Sequence, residues 1–408
     1  MFAHFNALER DRGVADGVHR SWRPYVVGAT THEESVMRSV IIGGGVAGCA
    51  VAAALRSTSH CRESVLIERR KPGASAGMGF ILMPNGLRAL DAIAPEFDWR
   101  AAGRIIEMVS LRNRNGEVLA EHPLEASVCI SRERFLRMLR MAAAGTGMLE
   151  GWNLETLERN TDGSTNAIKV DDGTRIAGDI FFACDGARSR TRSLIFPEAT
   201  LSDVAIHEIV SVAEAPELAE TLGNGFQKFH DERGGLAVGM LAESATRVVW
   251  FVQFDAMRYG VDTARDTGRA ATLAEKIELF VRHQLTNWAP EIAEAIDSTN
   301  FNHSHLWPTR DLPPLASLAC GNLALVGDAA HACLPFTSQG ANGALVDAAI
   351  LGGLLADVGS REEAAAAFAL YTLLRRPHHQ KLFMDGRRLR AAFLAPFGAR
   401  GPALPLVV

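Results

Sequence analysis

The feature that most constrains this chain is a glycine-rich run at residues 43–48, Gly-Gly-Gly-Val-Ala-Gly, which fits the pattern G-x-G-x-x-G. An apolar run at residues 39–42 precedes it and predicts a buried parallel strand. Residues 47–57 have a helical composition, and a second apolar strand pattern at residues 64–68 ends on an acid. Strand, glycine turn, helix and strand together predict a βαβ unit.

This βαβ unit has the chemistry of a dinucleotide site. The first glycine of the pattern allows a tight turn, the second lets a pyrophosphate approach the backbone, and the third lets the helix pack closely. The helix N-terminus offers N–H groups and a partial positive charge to phosphate. Glu68 lies about 20 residues after Gly48, where an acid accepts hydrogen bonds from ribose hydroxyls. A structural glycine turn is the alternative, and FAD and NAD share the half that this unit would bind.

A second pattern, at residues 323–343, distinguishes FAD from NAD. An apolar strand ends at Gly327 and Asp328, and a helix is predicted to begin near Gly340. A glycine lets a ligand chain lie against the backbone, and an aspartate accepts from a sugar-alcohol hydroxyl such as those of a flavin ribityl chain. The N–H groups at the helix start would stabilise negative charge on the pyrimidine edge of a reduced flavin. NAD has no matching need, so the pattern favours FAD.

A third motif lies between these two. Residues 179–184 are an apolar strand pattern, and Asp185, Gly186, Ser189 and Arg192 fit D-G-x-x-S-x-x-R. With the three motifs in this order, the chain resembles the class A flavoprotein monooxygenases, the family of p-hydroxybenzoate hydroxylase and the tetracycline-inactivating monooxygenases. The resemblance covers most of the chain from Met37 to residue 376.

The resemblance implies an FAD site drawn from all three motifs. Arg132 would reach the flavin, Asp185 and Gly186 would lie near the pyrophosphate and affect binding of the nicotinamide donor, and Pro335 would lie beside the flavin ring. A solvated first-turn arginine is the alternative for Arg132, and a plain turn residue is the alternative for Asp185. The predicted cofactor-binding residues are Gly43, Gly45, Val46, Ala47, Gly48, Glu68, Arg69, Arg132, Asp185, Gly186, Gly327, Asp328, Pro335, Gly340, Ala341 and Asn342.

One position departs from the family pattern. Ser338 stands where the family usually has glycine. A positive φ at a residue with a side chain costs about 1 to 2 kcal/mol, so we expect φ below zero at Ser338.

The resemblance also implies an activity. NAD(P)H would reduce FAD, O₂ would add to give a flavin C4a-hydroperoxide, and this would oxygenate an aromatic or polyketide-like small molecule. The protein would position the substrate and exclude water. No catalytic base and no metal site is assigned, although four histidines are candidate bases by residue type. These are His207, His230, His303 and His305.

Three alternatives stay open. One is an FAD-dependent oxidoreductase on the same fold. Another is a flavin-dependent halogenase, although the sequence indicates neither its W-x-W-x-I-P segment nor its lysine that captures hypohalous acid. The third is a non-catalytic flavin-binding protein.

The predicted fold is α/β. A Rossmann-like FAD-binding domain (GR2/PHBH-type) is interleaved with a mostly antiparallel β-sheet substrate domain, plus C-terminal helices, and Pro377 is expected to interrupt the last of them. The predicted divisions are a disordered extension at 1–36, a discontinuous FAD-binding domain at 37–200 and 306–360 with part of the substrate sheet from about 75–130, a substrate-binding β-sheet domain at 201–305, and a C-terminal helical segment and tail at 361–408.

The composition of the chain limits the classes of partner that it is expected to bind. With 42 Lys and Arg against 47 Asp and Glu, there is no basic excess to neutralise nucleic acid. Glycines break the apolar stretch at residues 40–55, so no transmembrane helix is predicted. The six cysteines are isolated, which indicates small buried hydrophobes in a reducing compartment. We expect a cytoplasmic protein whose partners are a small-molecule substrate and O₂, with no stable membrane insertion, and its oligomeric state stays open.

Overall fold

Apolar strands alternate with turns and helices through the computed structural model, which describes residues 36–61, 63–71, 79–260 and 272–397. The predicted extension lies outside the described residues except for Val36. The strands are β1 (Arg38–Ile42), β2 (Glu63–Glu68), β3 (Gly79–Leu82), β4 (Arg104–Asn113), β5 (Val118–Ser131), β6 (Gly147–Glu150), β7 (Leu154–Arg159), β8 (Thr165–Val170), β9 (Arg175–Ala177), β10 (Ile180–Ala183), β11 (Ile206–Glu214), β12 (Gly225–His230), β13 (Leu236–Ala242), β14 (Arg247–Asp255), β15 (His305–Thr309), β16 (Ala319–Cys320) and β17 (Leu323–Leu325).

Helices connect and cover these strands. The described residues also form short 3₁₀ helices at Phe301–His303 and Pro335–Thr337. The α-helices are α1 (Val46–Leu55), α2 (Pro84–Ile93), α3 (Arg132–Ala142), α4 (Arg190–Ile195), α5 (Pro216–Leu222), α6 (Leu273–Gln284), α7 (Pro290–Asp297), α8 (Asp328–His331), α9 (Gln339–Leu354) and α10 (Arg361–Leu394).

The first sheet brings the three sequence motifs to one edge. Its strand order is β16-β17-β10-β1-β2-β6, and β1, β2, β10 and β17 pair in parallel. The register aligns Ile42 with Ile67 and with Ala183, and Ala183 with Leu325. Because the carboxyl ends of parallel strands meet at the same edge, the turns that follow these residues are neighbours, and a crevice forms outside them.

The second sheet has eight strands and is mostly antiparallel. Its order is β15-β11-β14-β13-β12-β4-β5-β3, and all pairs are antiparallel except β12 with β4. Strands β3, β4 and β5 lie within residues 75–131 and join strands that follow residue 205. The α/β class with an interleaved, mostly antiparallel sheet is therefore confirmed. The domain boundaries stay a prediction, since the described residues from Val36 onward belong to one compact unit.

Helix α1 packs closely against the first sheet and its neighbouring helices. Nine of its ten residues are buried, because it lies against the first sheet, α3 and α9. A helix that is apolar all round must be buried in this way. Small residues permit the close approach to α9, since a Cβ added at Gly352 would lie 3.0 Å from the Cβ of Ala54.

Two sequence predictions about the fold are wrong. Pro377 does not interrupt α10, which continues to Leu394. The carbonyl of Leu373, which loses its N–H partner, belongs to a residue 72% exposed, where water can bond to it. Of the six free cysteines, Cys320 and Cys333 are only half-buried.

None of the described helices combines the length and apolarity needed to cross a membrane.

Candidate functional site

A cleft of about 780 Å³ opens beside two of the three motifs, the glycine turn and the D-G-x-x-S-x-x-R motif. The glycine turn at residues 43–45, Glu68, Asp185 and Gly186 form part of its wall. The field of many cations in one concave site favours a polyanionic ligand such as a pyrophosphate. The basic residues that line the cleft are Arg69, Arg70, Lys71, Arg132, Arg137, Arg140, Arg188 and Arg190.

The glycine turn presents bare backbone to this cleft. Gly43 has a φ of +110°, and a Cβ there would lie 2.3 Å from the carbonyl oxygen of Cys184. A Cβ at Gly48 would lie 1.9 Å from the oxygen of Gly43, so α1 packs directly on the turn. A Cβ at Gly45 would meet nothing within 4 Å, and no side chain caps α1 at this residue. The turn therefore fits a pyrophosphate at a helix N-terminus.

Glu68 has a role that the sequence analysis did not include. Its carboxylate accepts the N–H of Gly44 at 2.8 Å and the N–H of Arg70 at 2.8 Å. These bonds hold the turn and the end of β2 together, and each carboxylate oxygen keeps a lone pair for a ribose hydroxyl. Behind the turn, Val46 is buried and Ala47 is half-buried, so these two predicted residues begin α1 instead of lining the cleft.

Asp185 is engaged within the chain. Its carboxylate accepts from the hydroxyl of Ser189, and from the N–H and the hydroxyl of Thr191 at 2.9 and 3.0 Å. Ser189 in turn caps α4 by accepting the N–H of Arg192 at 2.8 Å. The D-G-x-x-S-x-x-R motif therefore builds the start of α4 beside the cleft.

Arg192 joins the second motif to the third. This buried side chain donates to the carbonyl oxygen of Ala329 at 3.0 Å, one residue past Asp328. Asp328 is exposed to solvent, while the neighbouring protein partly desolvates its carboxylate. This desolvation raises the pKa of Asp328, and His331, Arg132 and Arg192 oppose the rise. Arg132 is half-buried, and burial lowers the pKa of its guanidinium.

A buried carboxylate that the sequence analysis missed holds the turn before Asp328. Asp347 on α9 accepts the N–H of Gly327 at 2.9 Å and contacts His331 Nε2 at 2.7 Å and Arg375 Nε at 2.6 Å. We call these four residues the Asp347 cluster. Burial alone would raise the pKa of Asp347, but His331 and Arg375 hold it well below its usual range. With His379, the cluster has metal-ligand spacing, yet the charge of Arg375 opposes a cation there.

Ser338 corrects an expectation. Its φ is +52°, in the left-handed region, and not below zero. The Ser338 N–H donates to the carbonyl of Pro335 at 3.1 Å, and its own carbonyl accepts from Asn342 Nδ2 at 2.7 Å. These bonds and the buried packing offset a cost of about 1 to 2 kcal/mol. The family's glycine at this position was itself a signal of positive φ.

Asn342 is bonded to backbone at both ends of its amide. The second N–H of Nδ2 donates to the carbonyl of Ile81 at 2.9 Å, and Oδ1 accepts the N–H of Met83 at 2.9 Å. This predicted site residue therefore ties the start of α9 to β3 and α2. The neighbouring Gly340 and Ala341 line a different space from the cleft.

That space is a second cavity, of about 220 Å³, between the loop at 335–341 and one face of the second sheet. Most of its wall is apolar and aromatic, and Pro335 borders it. The apolar residues that line it are Phe80, Ile81, Val210, Phe226, Leu241, Val249, Phe251, Pro335 and Phe336.

Three polar residues form a chain on the wall of this cavity. Lys228 Nζ donates to Gln253 Oε1 at 2.9 Å, and Gln253 Nε2 donates to Glu208 Oε2 at 2.6 Å. We call these three residues the Lys228 chain. Burial lowers the pKa of Lys228 to about 8 and raises the pKa of Glu208 to about 7. No motif indicated them, since they lie on β12, β14 and β11 and only strand pairing unites them.

The candidate histidine bases lie elsewhere. Among the described residues that line the cleft and the second cavity, none is a histidine. Burial lowers the pKa of His207, and it lowers that of His230 well below its usual value, while His303 is exposed. No catalytic base is therefore assigned.

Known proteins resemble this chain in sequence and in fold. The sequence pattern of the family described as FAD binding domain matches residues 36–385, a range that contains all three motifs. The chain is 28% identical over 388 residues to 3-amino-4-hydroxybenzoate 2-monooxygenase PtnB3 of Streptomyces platensis, covering 89% of this chain and 90% of that protein. It is 25% identical over 364 residues to the FAD-dependent urate hydroxylase of Klebsiella pneumoniae, covering 86% and 89%. The crystal structure of Klebsiella pneumoniae HpxO complexed with FAD and uric acid has the same fold, with a TM-score of 0.75 and 20% identity over 90% of both chains.

Proposed function

Because this chain belongs to the FAD binding domain family and is an FAD-dependent monooxygenase, we propose that it hydroxylates a small aromatic compound held in the cavity of about 220 Å³, with NAD(P)H and O₂ as co-substrates. The observation that carries the proposal is the position of this cavity. Its wall includes residues of the 3₁₀ helix at Pro335–Thr337, Ser338 and the first turn of α9, the segment whose sequence favours a flavin.

The residues of the cleft fit FAD. We propose that the turn at Gly45 and the N-terminus of α1 hold its pyrophosphate, Glu68 its adenosine ribose, and Asp328 its ribityl side. Open space at Gly45 and the basic wall of the cleft support this. Bound FAD supplies hydride acceptance from NAD(P)H and activation of O₂. Arg69, Arg132, Gly186 and the other residues of the predicted set stay proposals.

The chain's own residues would orient the reactants and exclude water. No side chain caps α9 at Ser338, so the helix start offers its dipole to a negatively charged ring edge. The apolar wall of the cavity keeps water from the reacting atoms. A cavity of roughly 150 Å³ is large enough for benzene, so about 220 Å³ suits one substituted ring or two fused rings. Relatives named for urate and for aminohydroxybenzoate act on compounds of this size.

The test begins with the purified protein, which should be yellow and release FAD on denaturation. Glu68→Gln should weaken FAD affinity by about 1 to 3 kcal/mol, since it removes a charge-assisted hydrogen bond. Phenols and fused-ring aromatics are then screened for stimulated NAD(P)H oxidation, with ¹⁸O₂ to follow the oxygen atom into product. Hydrogen peroxide as the only oxygen product with every compound would favour the oxidoreductase alternative.

We also propose that residues 37–200 and 306–360 carry the FAD side and that 201–305, with strands from 75–130, carry the substrate side. Membership of the two sheets supports this division. A cytoplasmic location and the absence of a nucleic-acid partner stay predictions from composition.

A further inference from the structure

We propose that Lys228 selects the substrate of this cavity by binding an anionic oxygen, a phenolate or a carboxylate, on a small aromatic compound. The inference rests on the proposed function, because it names the substrate class of the same cavity. Lys228 lines the cavity on β12, and its side chain is buried, with 2% of the residue exposed.

The ammonium group has donors to spare. It carries three N–H groups. Among the described residues, its hydrogen bond is to Gln253 Oε1, and it lies 5.4 Å from the centroid of the Phe336 ring. A buried charged donor is stabilised when it is fully bonded, so an acceptor in the cavity would complete the set.

No carboxylate of the described residues forms an ion pair with Lys228. Gln253 stands between the ammonium and Glu208, accepting from one and donating to the other. The amide orients both groups but neutralises neither, which leaves the position of a direct counter-ion to the ligand. In a site with low effective dielectric constant, such a direct pair is stronger than the same pair in water.

The apolar wall of the cavity determines which kind of ligand can present the anionic oxygen to Lys228. Phe226 and Phe251 lie on the same face of the sheet as Lys228, and Phe336 lies on the loop opposite. Flat aromatic side chains and a small volume suit a ring compound. An anionic oxygen at Lys228 would therefore hold the ring between this sheet and the loop at 335–341.

Protonation of Lys228 gives the proposal a pH dependence. The charged and titratable groups that face it are Glu208 from β11, which raises the pKa of Lys228, and His230 on its own strand, whose pKa is well below its usual value. Burial lowers the pKa of Lys228 to about 8. The ammonium is present below that pH, so affinity for a carboxylate should fall as pH rises through about 8.

The first experiment measures ligand binding to the FAD-loaded protein by perturbation of flavin absorbance. Benzoate and its neutral isostere benzamide are the probes, and Lys228→Met is compared with the wild type. Benzoate affinity should fall about 10- to 100-fold in the variant, while benzamide affinity changes less than about threefold. The matched control is Lys169→Met, an exposed lysine on β8 that lies 3.8 Å from Glu155, and it should leave both affinities unchanged. Equal losses for benzoate and benzamide, or no loss, would overturn the proposal.

The second experiment uses the visible absorbance of the 4-nitrophenolate ion. Binding to the wild type should lower the pKa of 4-nitrophenol by about one unit or more, and Lys228→Met should abolish this shift. In Glu208→Gln, the loss of benzoate affinity should move to lower pH, since Glu208 no longer raises the pKa of Lys228. An unchanged 4-nitrophenol pKa on wild-type binding would refute the role of Lys228.

The outcomes separate this inference from the proposed function. FAD content of each variant reports folding, and Lys228→Gln provides a second variant of similar length. If charge-selective binding is present but ¹⁸O never enters a product, the proposed function fails while Lys228 keeps its role. If neutral aromatics are hydroxylated and bind as well as their anions, the function stands and the role of Lys228 fails.

Discussion

The two buried groups of charges in this protein are built in opposite ways. In the Asp347 cluster, the carboxylate contacts His331 and Arg375 directly, at 2.7 and 2.6 Å. In the Lys228 chain, an amide separates the two charges, and the pKa values of Lys228 and Glu208 move toward each other, to about 8 and about 7. A buried charge in direct contact with its counter-ion is satisfied and stabilises the fold. A buried charge that an amide separates from its counter-ion can still bind a ligand.

The largest effect should come from the Asp347 cluster. Asp347→Ala leaves Arg375 buried without its partner and frees the turn at Gly327, so the free energy of unfolding should fall by about 3 to 5 kcal/mol in urea denaturation. The matched control is Asp297→Ala, which removes an exposed ion pair with Arg282 at 2.7 Å and should cost less than about 1 kcal/mol. Similar losses in the two variants would remove the distinction between the cluster and a surface pair.

The stability that Asp347 contributes should depend on pH only in strong acid. Because its folded-state pKa lies well below 3.8, Asp347 stays ionised in the folded protein while the same carboxyl group in the unfolded chain takes up a proton. Its contribution is complete above pH about 4 and is lost as pH falls through the folded pKa. The stability difference between wild type and Asp347→Ala should therefore shrink only in stronger acid. A difference that already disappears between pH 7 and 5 would contradict this assignment.

A smaller effect should appear in FAD binding. Asp328→Ala removes a carboxylate to which none of the described residues donates a hydrogen bond, so FAD affinity should fall by about 1 to 3 kcal/mol, measured by fluorescence titration. Asp185→Ala should instead lower thermal stability, because its carboxylate is bonded to Ser189 and Thr191. The opposite pattern, with FAD affinity lost mainly in Asp185→Ala, would exchange their roles.

The smallest effect on folding should come from the Lys228 chain. In Lys228→Met, the lost hydrogen bond and the relieved desolvation of the ammonium oppose each other, so the free energy of unfolding at pH 7 should change by less than about 1 kcal/mol. The measurement is urea denaturation beside Asp347→Ala. A loss of several kcal/mol would show that Lys228 is a structural charge like Asp347.

Two predictions from local sequence patterns are wrong because the surroundings in the folded protein oppose the local preference. Ser338 takes a left-handed φ because Asn342 and Pro335 bond to it, and Pro377 stays within α10 because the carbonyl it deprives of a partner faces solvent. In both cases, the local preference is worth about 1 to 3 kcal/mol, and the surrounding bonds and solvation exceed or relieve it.

What the sequence determined by itself was the chemistry held within a few consecutive residues. The positions of the turn at 43–48, of Glu68 and of the Gly327–Asp328 pair could be predicted, because apolar strands that end in glycine or an acid mark the carboxyl edge of a parallel sheet. The roles of these residues toward FAD stay predictions. Only the tertiary structure decided what the second cavity contains. Glu208, Lys228 and Gln253 reach one wall because strand order places β11 beside β14, with only β13 between β14 and β12, and because the register puts the three side chains on one face. A register shift of one residue would turn each side chain to the other face of the sheet.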